Sequence, residues 1–413
     1  MERIYGNVMV GQSGGPTAAI NATLAGVITG VQRAQAAGKM GKLYGMRNGI
    51  EGLLAGNFLD LDAEFSDSAR LSLLQHTPAA ALGSCRKKLP SPETDPGTYE
   101  TILAVFRRFD IRFFFYIGGN DSMDAVDKLR AFFEKHAYDV RIVGVPKTID
   151  NDLVLTDHTP GFGSAAKYIA TTVQEILRDC AVYTVRAVTI VEIMGRDAGW
   201  LTCAAALPGA VTGMGVDYLY LPERAFDMQA FFADLRRAFE KHPNVVIAVS
   251  EGLRDETGHY VGESTQSGAA DTFGHRYLGG TGKMLEQAVK EEFGCKVRSV
   301  ELNLPQRCAS HLASRTDIEE SVETGIYAVR AVLSGATGCM VTVTRQGGAD
   351  YELRYGTAPV SEIANRVKKV PDNFINAEGN GVTDLCIAYL RPLICGEVSP
   401  LYRDGLPVHC VLA

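Results

Sequence analysis

The chain has 413 residues, of which 46% are hydrophobic and 22% are charged, as is usual for a soluble globular protein. This length exceeds one ordinary hydrophobic core and predicts two or three packed domains. The formal net charge of −7 argues against general binding to nucleic acid or to a membrane surface. It leaves open a local basic pocket for a small anion.

The cysteines and the N-terminus indicate where the protein works. The nine cysteines are scattered and form no C-x-x-C pair, which argues against a zinc site or a disulfide framework. The first residues lack the basic and long apolar regions of a signal peptide, and no apolar run is long enough to predict a transmembrane helix. We therefore expect a cytoplasmic protein.

The predicted elements repeat one pattern: a β-branched or aromatic run, then Gly-rich polar residues, then a helical stretch. The predicted strands are Asn7–Val10, Ile111–Ile117, Val140–Val145, Ala187–Ile193, Asn244–Val249 and Met340–Thr344. The predicted helices are Thr17–Ala37, with Pro16 suited to its first turn, Met123–His136 and Trp200–Ala206. The segment Ser91–Thr98 is predicted to be a loop.

This repetition predicts an α/β fold in which helices join parallel strands. Ligands of such sheets bind beyond the carboxyl ends of the strands. The polar clusters of this chain all follow predicted strands, so we expect clusters that are distant in sequence to meet in one cleft.

Two glycine motifs resemble phosphate-binding loops. Gly14 and Gly15 precede a predicted helix, whose unpaired backbone N–H groups suit a phosphate, although a tight strand–helix turn explains them equally well. The segment Gly279–Lys283 has part of the P-loop pattern, but Tyr277 and Met284 break that pattern. We interpret this second segment as a loop before a helix.

The segment Gly118–Ser122 follows a predicted strand and offers oxygen ligands. Gly119 allows the backbone to approach a ligand closely, and Asn120 and Asp121 carry the oxygens that Mg²⁺ prefers. The alternative is a capped helix start, with Asp121 or Ser122 as the cap.

The segment after the third predicted strand crowds Lys147, Thr148, Asp150 and Asp152 together. Two residues apart in an extended chain, the aspartates face the same side, so one can accept a proton while the other holds a metal. The alternative is an Asx turn with solvated acids. Lys147 favours a functional site, because it would neutralise phosphate beside those acids.

Two groups of cations add to these motifs. Arg196 comes after Ala187–Ile193 and can clamp a phosphoryl group, although a surface ion pair is the commoner role of an isolated arginine. Arg86–Lys88 is a short basic cluster that can guide phosphate if it lies near an anion site. Taken together, the glycine turns, acids and cations predict Mg²⁺-assisted phosphoryl transfer.

The order of these motifs resembles the phosphofructokinase family along most of the chain. The motif Thr148–Asp152 with Met194–Arg196 downstream is highly specific for it. The residues that carry the resemblance are Gly14–Pro16 with Asn21, Leu82–Arg86, Gly118–Ser122, Thr148–Asp152, Met194–Arg196, Glu251, Arg298 and Gln306–Arg307.

The resemblance implies two Rossmann-like three-layer α/β/α domains with the active site between them. It implies a donor domain of residues 1–163 and about 305–345, and a fructose 6-phosphate domain of residues 164–304 and about 346–413. In the family, an arginine like Arg298 reaches across from a neighbouring subunit. We therefore expect a homodimer or a homotetramer.

The resemblance also implies the reaction and the site residues. It implies phosphorylation of fructose 6-phosphate at its 1-hydroxyl, with Asp150 as general base and Arg196 stabilising the transferred group. Asp152 and Asn120 are the implied Mg²⁺ ligands, although the family usually has an aspartate at the position of Asn120. Donor-binding residues are implied at Gly14, Gly15, Gly119, Asp121 and Lys147. Substrate-binding residues are implied at Thr148, Met194, Gly195, Glu251, Arg298 and Arg307.

Two positions indicate the phosphoryl donor. Members of the family that use ATP typically have glycine at the positions of Asp121 and Lys147, whereas members that use pyrophosphate have aspartate and lysine. A carboxylate ~4 Å from the α-phosphate of ATP costs about 4 kcal/mol at an effective dielectric near 20. The expected donor is therefore pyrophosphate, in a reversible reaction; the alternatives are an ATP-dependent enzyme and a non-catalytic regulatory subunit of the same fold.

Overall fold

The computed structural model describes residues 4–262, 280–347 and 350–412. The strands are β1 (Asn7–Gln12), β2 (Leu43–Met46), β3 (Phe58–Asp60), β4 (Ile111–Gly118), β5 (Arg141–Pro146), β6 (Ala187–Ile193), β7 (Tyr218–Tyr220), β8 (Asn244–Ser250), β9 (Lys296–Glu301), β10 (Cys339–Arg345), β11 (Leu353–Pro359), β12 (Tyr402–Arg403) and β13 (Leu406–Pro407). The helices are α1 (Ile20–Ala36), α2 (Gly49–Ala55), α3 (Leu61–Glu64), α4 (Ser68–Gln75), α5 (Pro96–Arg108), α6 (Asn120–Lys135), α7 (Phe162–Cys180), α8 (Trp200–Cys203), α9 (Leu207–Thr212), α10 (Met228–Phe239), α11 (Thr281–Phe293), α12 (Pro305–Cys308), α13 (Arg315–Leu333) and α14 (Asp384–Leu390).

Two mainly parallel sheets organise the chain. The larger has seven strands in the order β11-β10-β5-β4-β1-β2-β3, and only its edge strands β11 and β3 run antiparallel to their neighbours. The smaller has four parallel strands in the order β7-β8-β6-β9. Among the described residues, no helix is long and apolar enough to cross a membrane.

Helices cover both faces of each sheet. Phe113 and Phe115 of β4 pack in one core with residues of α1 and α13, whereas Phe114 and Tyr116 pack in another with α5 and α6. The smaller sheet likewise lies between α7 and α8 on one face and α10 and α11 on the other. Burial on both faces is the rule for parallel sheets, and it explains the apolar runs of β4, β6 and β8. The predicted pair of three-layer α/β/α domains is confirmed.

No single boundary in the sequence separates the strands of the two sheets. The larger sheet takes β1 to β5 from the first part of the chain and returns for β10 and β11, while the smaller is made of β6 to β9. The strand β11 thus lies in the larger sheet although it follows residue 345, near which the resemblance implied an approximate domain boundary. The assignment of one domain to each substrate stays a prediction.

The predicted strands all coincide with observed strands, but three helix starts differ from expectation. The helix predicted from Met123 begins at Asn120. Pro16 lies outside α1, because the Thr17 hydroxyl accepts the Ile20 N–H at 2.9 Å and the helix begins only there. The predicted loop Ser91–Thr98 is shortened by α5, which begins at Pro96 because the Asp95 carboxylate caps it through the Thr98 N–H at 3.2 Å.

The second glycine motif is partly covered by the structure. Tyr277 and Gly279 lie outside the described residues. Gly280 has a φ of 86° and directly precedes α11, and the Gly282 N–H donates to Glu192 Oε2 at 2.6 Å. Over its described part, the segment is a loop that starts a helix, as predicted.

Candidate active site

One cleft of about 490 Å³ collects the polar segments that follow β1, β4, β5, β6 and β8. Its walls therefore come from the carboxyl ends of strands in both sheets, as expected for folds of this class. The predicted site residues that line it are Gly14, Gly15, Gly119, Asn120, Asp121, Lys147, Thr148, Asp150, Asp152, Met194, Arg196, Glu251 and Arg307.

Two predicted residues are placed differently. Gly195 lies at the cleft wall through its backbone, whose N–H donates to Glu251 Oε1 at 3.3 Å. Arg298 is exposed on β9 and lines a separate small pocket near the amino ends of β6 and β8. Within one chain Arg298 does not reach the cleft, so its contact with substrate across a subunit boundary stays a prediction.

The donor end of the cleft is built around Lys147. The residue directly follows β5, is only 3% exposed, and donates from Nζ to Gly15 O at 2.6 Å. A Cβ on Gly14 would lie 3.2 Å from that ammonium, and the φ of 76° at Gly14 disfavours other residues. The glycine turn thus makes room for the lysine head group.

Burial lowers the pKa of Lys147 to about 8, although the nearby Asp150 and Asp152 carboxylates counteract this effect. The amine therefore stays mostly charged at neutral pH. It places one positive charge in the floor of the cleft, where solvent screens it little.

The acidic loop, residues 147–157, does not have the extended conformation that the sequence suggested. Asn151 has a φ of 53°, so a left-handed residue separates Asp150 from Asp152. Both aspartates nevertheless line the cleft, and the Asp150 N–H donates to Thr148 Oγ1 at 3.1 Å. The prediction of a shared extended face is wrong, because the Asn151 side chain turns inward to buried partners.

Burial raises the pKa of Asp150, while the charges of Lys147 and Arg196 oppose the rise. Burial and the neighbouring Asp150 carboxylate also raise the pKa of Asp152. Two carboxylates this close disfavour simultaneous ionisation unless a cation joins them. The pair is therefore suited to accept both a proton and a metal ion.

The opposite wall carries a third acid. Burial raises the pKa of Glu251 to about 8, and its carboxylate accepts the Gly195 N–H. Gly195 has a φ of 132°, which only glycine adopts readily, and its carbonyl accepts from Ser250 Oγ at 2.5 Å. A Cβ on Gly252 would lie 1.9 Å from Arg196 O, so this wall needs two glycines to pack.

Asn120 offers an oxygen without a partner. The residue begins α6, and its Nδ2 donates to Arg366 O at 2.7 Å. Its Oδ1 is buried and accepts no hydrogen bond from any described residue. A buried acceptor of this kind is costly unless a cation or water occupies it.

The donor set of Asn120 and Asp152 fits Mg²⁺. No cluster of three His, Cys, Asp or Glu residues suited to a metal occurs among the described residues. Mg²⁺ does not require one, because it is commonly held by one or two protein oxygens together with water and substrate phosphates. Asp121 is less suited, since its carboxylate lies 3.9 Å from Lys88 Nζ.

Replacement of Asn120 by alanine tests this donor set. We expect the Mg²⁺ concentration for half-maximal activity to rise by about tenfold, as is usual when a group of the metal site is lost. Asn365→Ala is the control, because Asn365 lines the same cleft but donates to Asp124 Oδ1 at 3.2 Å. An unchanged Mg²⁺ dependence in Asn120→Ala would exclude Asn120 from the metal site.

The structure adds cleft residues that the sequence did not reveal. Asn365 and Val367 line the cleft, and the carbonyl of Arg366 fixes the Asn120 amide across 246 positions of sequence. Ser13 and Ser122 form a buried hydroxyl pair beneath the donor end. No local pattern marks the first group, whereas both serines stand within the glycine motifs.

Comparisons with known proteins place the chain among its relatives. The family described as Phosphofructokinase matches residues 7–332. A pyrophosphate–fructose 6-phosphate 1-phosphotransferase of Xanthomonas campestris pv. campestris is 42% identical over 98% of this chain and 96% of its own length. The protein of that name from Halomonas elongata is also 42% identical, over 98% of this chain and 96% of its own length.

A solved structure extends the likeness to the fold. The crystal structure of pyrophosphate-dependent phosphofructokinase from Nitrosospira multiformis matches with a TM-score of 0.87 and 37% identity, over 98% of this chain and 95% of that one. The likeness thus covers both sheets and the cleft between them. The chain belongs to the phosphofructokinase family.

Proposed function

We propose that the protein transfers a phosphoryl group reversibly from pyrophosphate to the 1-hydroxyl of fructose 6-phosphate, giving fructose 1,6-bisphosphate and phosphate. The observation that carries the donor assignment is the buried Lys147 ammonium, held on Gly15 O at the donor end of the cleft. The relatives that are named for this activity are similar to this chain in sequence over nearly its whole length.

The reaction needs positioning and charge neutralisation more than covalent help. The 1-hydroxyl oxygen attacks the terminal phosphorus of pyrophosphate, the bond from that phosphorus to the bridging oxygen breaks, and phosphate leaves. Asp150 takes the hydroxyl proton, and its raised pKa makes it a better proton acceptor near neutral pH than an exposed aspartate. Arg196, across the cleft, stabilises charge on the transferred group.

The donor end suits a short anion. Lys147, the basic segment Arg86–Lys88 and the N-terminal end of α6 with Gly119 all line it. The Asp121 carboxylate adds a negative charge that disfavours the further phosphate and nucleoside of ATP.

The acceptor end suits a sugar phosphate. Met194 and Gly195 offer a surface on which the sugar can pack, Glu251 can accept from sugar hydroxyls, and Arg307 can bind the 6-phosphate. Thr148 lies between the two ends. Arg298 would complete this end from a neighbouring subunit, in a homodimer or a homotetramer.

Mg²⁺ completes the proposed site. When bound by Asn120 and Asp152, it neutralises the charge on pyrophosphate oxygens during transfer. The remaining partners are the two substrates, with no role for nucleic acid or membrane, and the expected location is the cytoplasm.

The direct test supplies Mg²⁺, fructose 6-phosphate and a single donor, and measures fructose 1,6-bisphosphate. We expect turnover with pyrophosphate and none above background with ATP. Turnover with ATP alone would overturn the donor assignment, and silence with both donors would overturn the proposed reaction.

The pH dependence of donor use follows from Lys147. The lysine is charged below its pKa of about 8 and neutral above it, so kcat/KM for pyrophosphate should fall about tenfold for each pH unit above that value. Lys147→Arg is the matched variant, because a guanidinium stays charged throughout this range. An alkaline fall of equal size and position in Lys147→Arg would assign the titration to another group.

A further inference from the structure

A lysine side chain from the C-terminal part of the protein donates hydrogen bonds to the acidic loop. Lys368 Nζ donates to Asn151 Oδ1 at 3.1 Å, to Thr156 O at 3.1 Å and to Asp157 O at 2.8 Å. An ammonium has three protons, and all three meet acceptors of the acidic loop. One lysine thus joins the middle of the acidic loop, at Asn151, to its C-terminal end.

Asn151, between the two aspartates, has hydrogen-bond partners at both polar atoms of its side-chain amide. Asn151 is fully buried and left-handed, and its Nδ2 donates to the Tyr389 hydroxyl at 2.9 Å. That hydroxyl donates in turn to Asp157 O at 2.6 Å. Lys368 and Tyr389 therefore hold the Asn151 amide in one orientation, and with it the backbone turn from which Asp150 and Asp152 project.

The main chain around Lys368 contacts both predicted metal residues. The Lys368 N–H donates to Asp152 O at 2.7 Å, and the carbonyl of Arg366 accepts from Asn120 Nδ2 at 2.7 Å. Because the amide nitrogen of Asn120 is engaged in this way, its unpartnered oxygen is left for a cation. One short segment, residues 366–368, therefore holds both the Asn120 amide and the main chain of Asp152.

A purely architectural role explains only part of these contacts. Lys368 Nζ lies 5.1 Å from the Trp200 ring centre, and the Lys368 carbonyl accepts from Trp200 Nε1 at 2.8 Å, which anchors the segment to the core on one face of the smaller sheet. The hydrogen bond to the carbonyl needs only the backbone, whereas the ring contact is a cation–π interaction of the ammonium. The three hydrogen bonds from Nζ all go to the acidic loop. Burial lowers the pKa of Lys368 to about 7, although the nearby Asp157 and Asp152 carboxylates oppose the fall.

We propose that Lys368 is a positioning residue, which holds the acidic loop through Asn151 so that Asp150 meets the acceptor hydroxyl and Asp152 meets the metal ion. The inference rests on the proposed function. Lys368 and Tyr389 both lie beyond residues 7–332, the part of the chain that the family description matches. A misplacement of about 1 Å at a reacting group can lower turnover about a hundredfold.

The test compares Lys368→Met with Lys369→Met in the full-length protein. Methionine keeps the length and apolar stem of lysine but removes the donors, and Lys369 is the exposed neighbour. We expect kcat of Lys368→Met to fall by about a hundredfold, with KM for fructose 6-phosphate changed less than threefold and Lys369→Met like wild type. Tyr389→Phe, which removes only the hydroxyl between Asn151 and Asp157, should lower kcat less and serves if Lys368→Met fails to fold.

Amide hydrogen exchange gives a second readout that does not depend on turnover. Backbone amides of residues 148–157 should exchange at least tenfold faster in Lys368→Met, while those of β1 and β4 keep their wild-type rates. A kcat within threefold of wild type, equal losses in Lys368→Met and Lys369→Met, or unchanged exchange would each overturn the proposal. Absence of wild-type turnover with pyrophosphate would overturn the proposed function instead, and hydrogen exchange would still decide the role of Lys368.

Discussion

Asp150→Asn is expected to lower kcat by about 10²-fold to 10⁴-fold, which is the range for loss of a general base. The amide has nearly the same shape as the carboxylate but cannot accept the proton of the 1-hydroxyl. The substitution should slow the chemical step more than it weakens binding, because fructose 6-phosphate is also held by groups on the other wall of the cleft. Equilibrium binding of fructose 6-phosphate, measured by calorimetry, should therefore change less than about tenfold, in contrast to the loss of kcat.

Asp197→Asn is the matched control for this prediction. Asp197 lines the same cleft, but its carboxylate is half-exposed and pairs with Arg254 at 2.7 Å. Removal of its charge perturbs the electrostatics of the cleft without removing the proposed base. If Asp150→Asn and Asp197→Asn lose similar amounts of activity, Asp150 acts through its charge alone and another group takes the proton.

The position of the candidate site was predictable because its main segments are local motifs at strand ends. The segments that contain Gly14, Gly119, Lys147 and Arg196 each follow an apolar run, and parallel strands bring their carboxyl ends to one cleft. Hydrophobic runs and glycine turns are read from neighbouring residues alone. No knowledge of the tertiary contacts is needed to place them.

The remainder of the site was not predictable because long-range contacts create it. The side chain of the left-handed Asn151 is hydrogen-bonded to Lys368 and Tyr389, which are 217 and 238 positions away in sequence. No spacing rule connects residues so far apart. Similarly, Thr17 delays the start of α1 through a hydroxyl contact that competes with the helical pattern, so Pro16 is not helical.

Arg298 marks a different limit. The residue lies on the edge strand β9, outside the cleft of its own chain. A residue that acts on a neighbouring subunit leaves no contact within one chain. If Arg298 binds substrate in the cleft of a neighbouring subunit, Arg298→Ala should raise KM for fructose 6-phosphate without changing the fold of its own subunit.

The double variant Asp121→Gly with Lys147→Gly is expected to gain use of ATP and to lose use of pyrophosphate. Removal of the Asp121 carboxylate relieves a repulsion of about 4 kcal/mol toward the α-phosphate of ATP, equal to about a thousandfold in affinity. Removal of Lys147 empties the space beneath the Gly14 turn and takes away the buried charge that would hold pyrophosphate. Loss of such a charged hydrogen bond should lower kcat/KM for pyrophosphate by about a hundredfold.

The single variants separate charge from space. Asp121→Asn removes the charge at constant volume, so a gain of ATP use there would show that repulsion alone excludes the nucleotide. Lys147→Gly leaves a cavity in a buried position and should lower the melting temperature, so each variant is compared by fructose 6-phosphate binding before donors are tested. A double variant that binds fructose 6-phosphate normally and still rejects ATP would place donor selection elsewhere in the cleft. Val367, half-exposed at the cleft and close in sequence to Lys368, is then the next residue to replace.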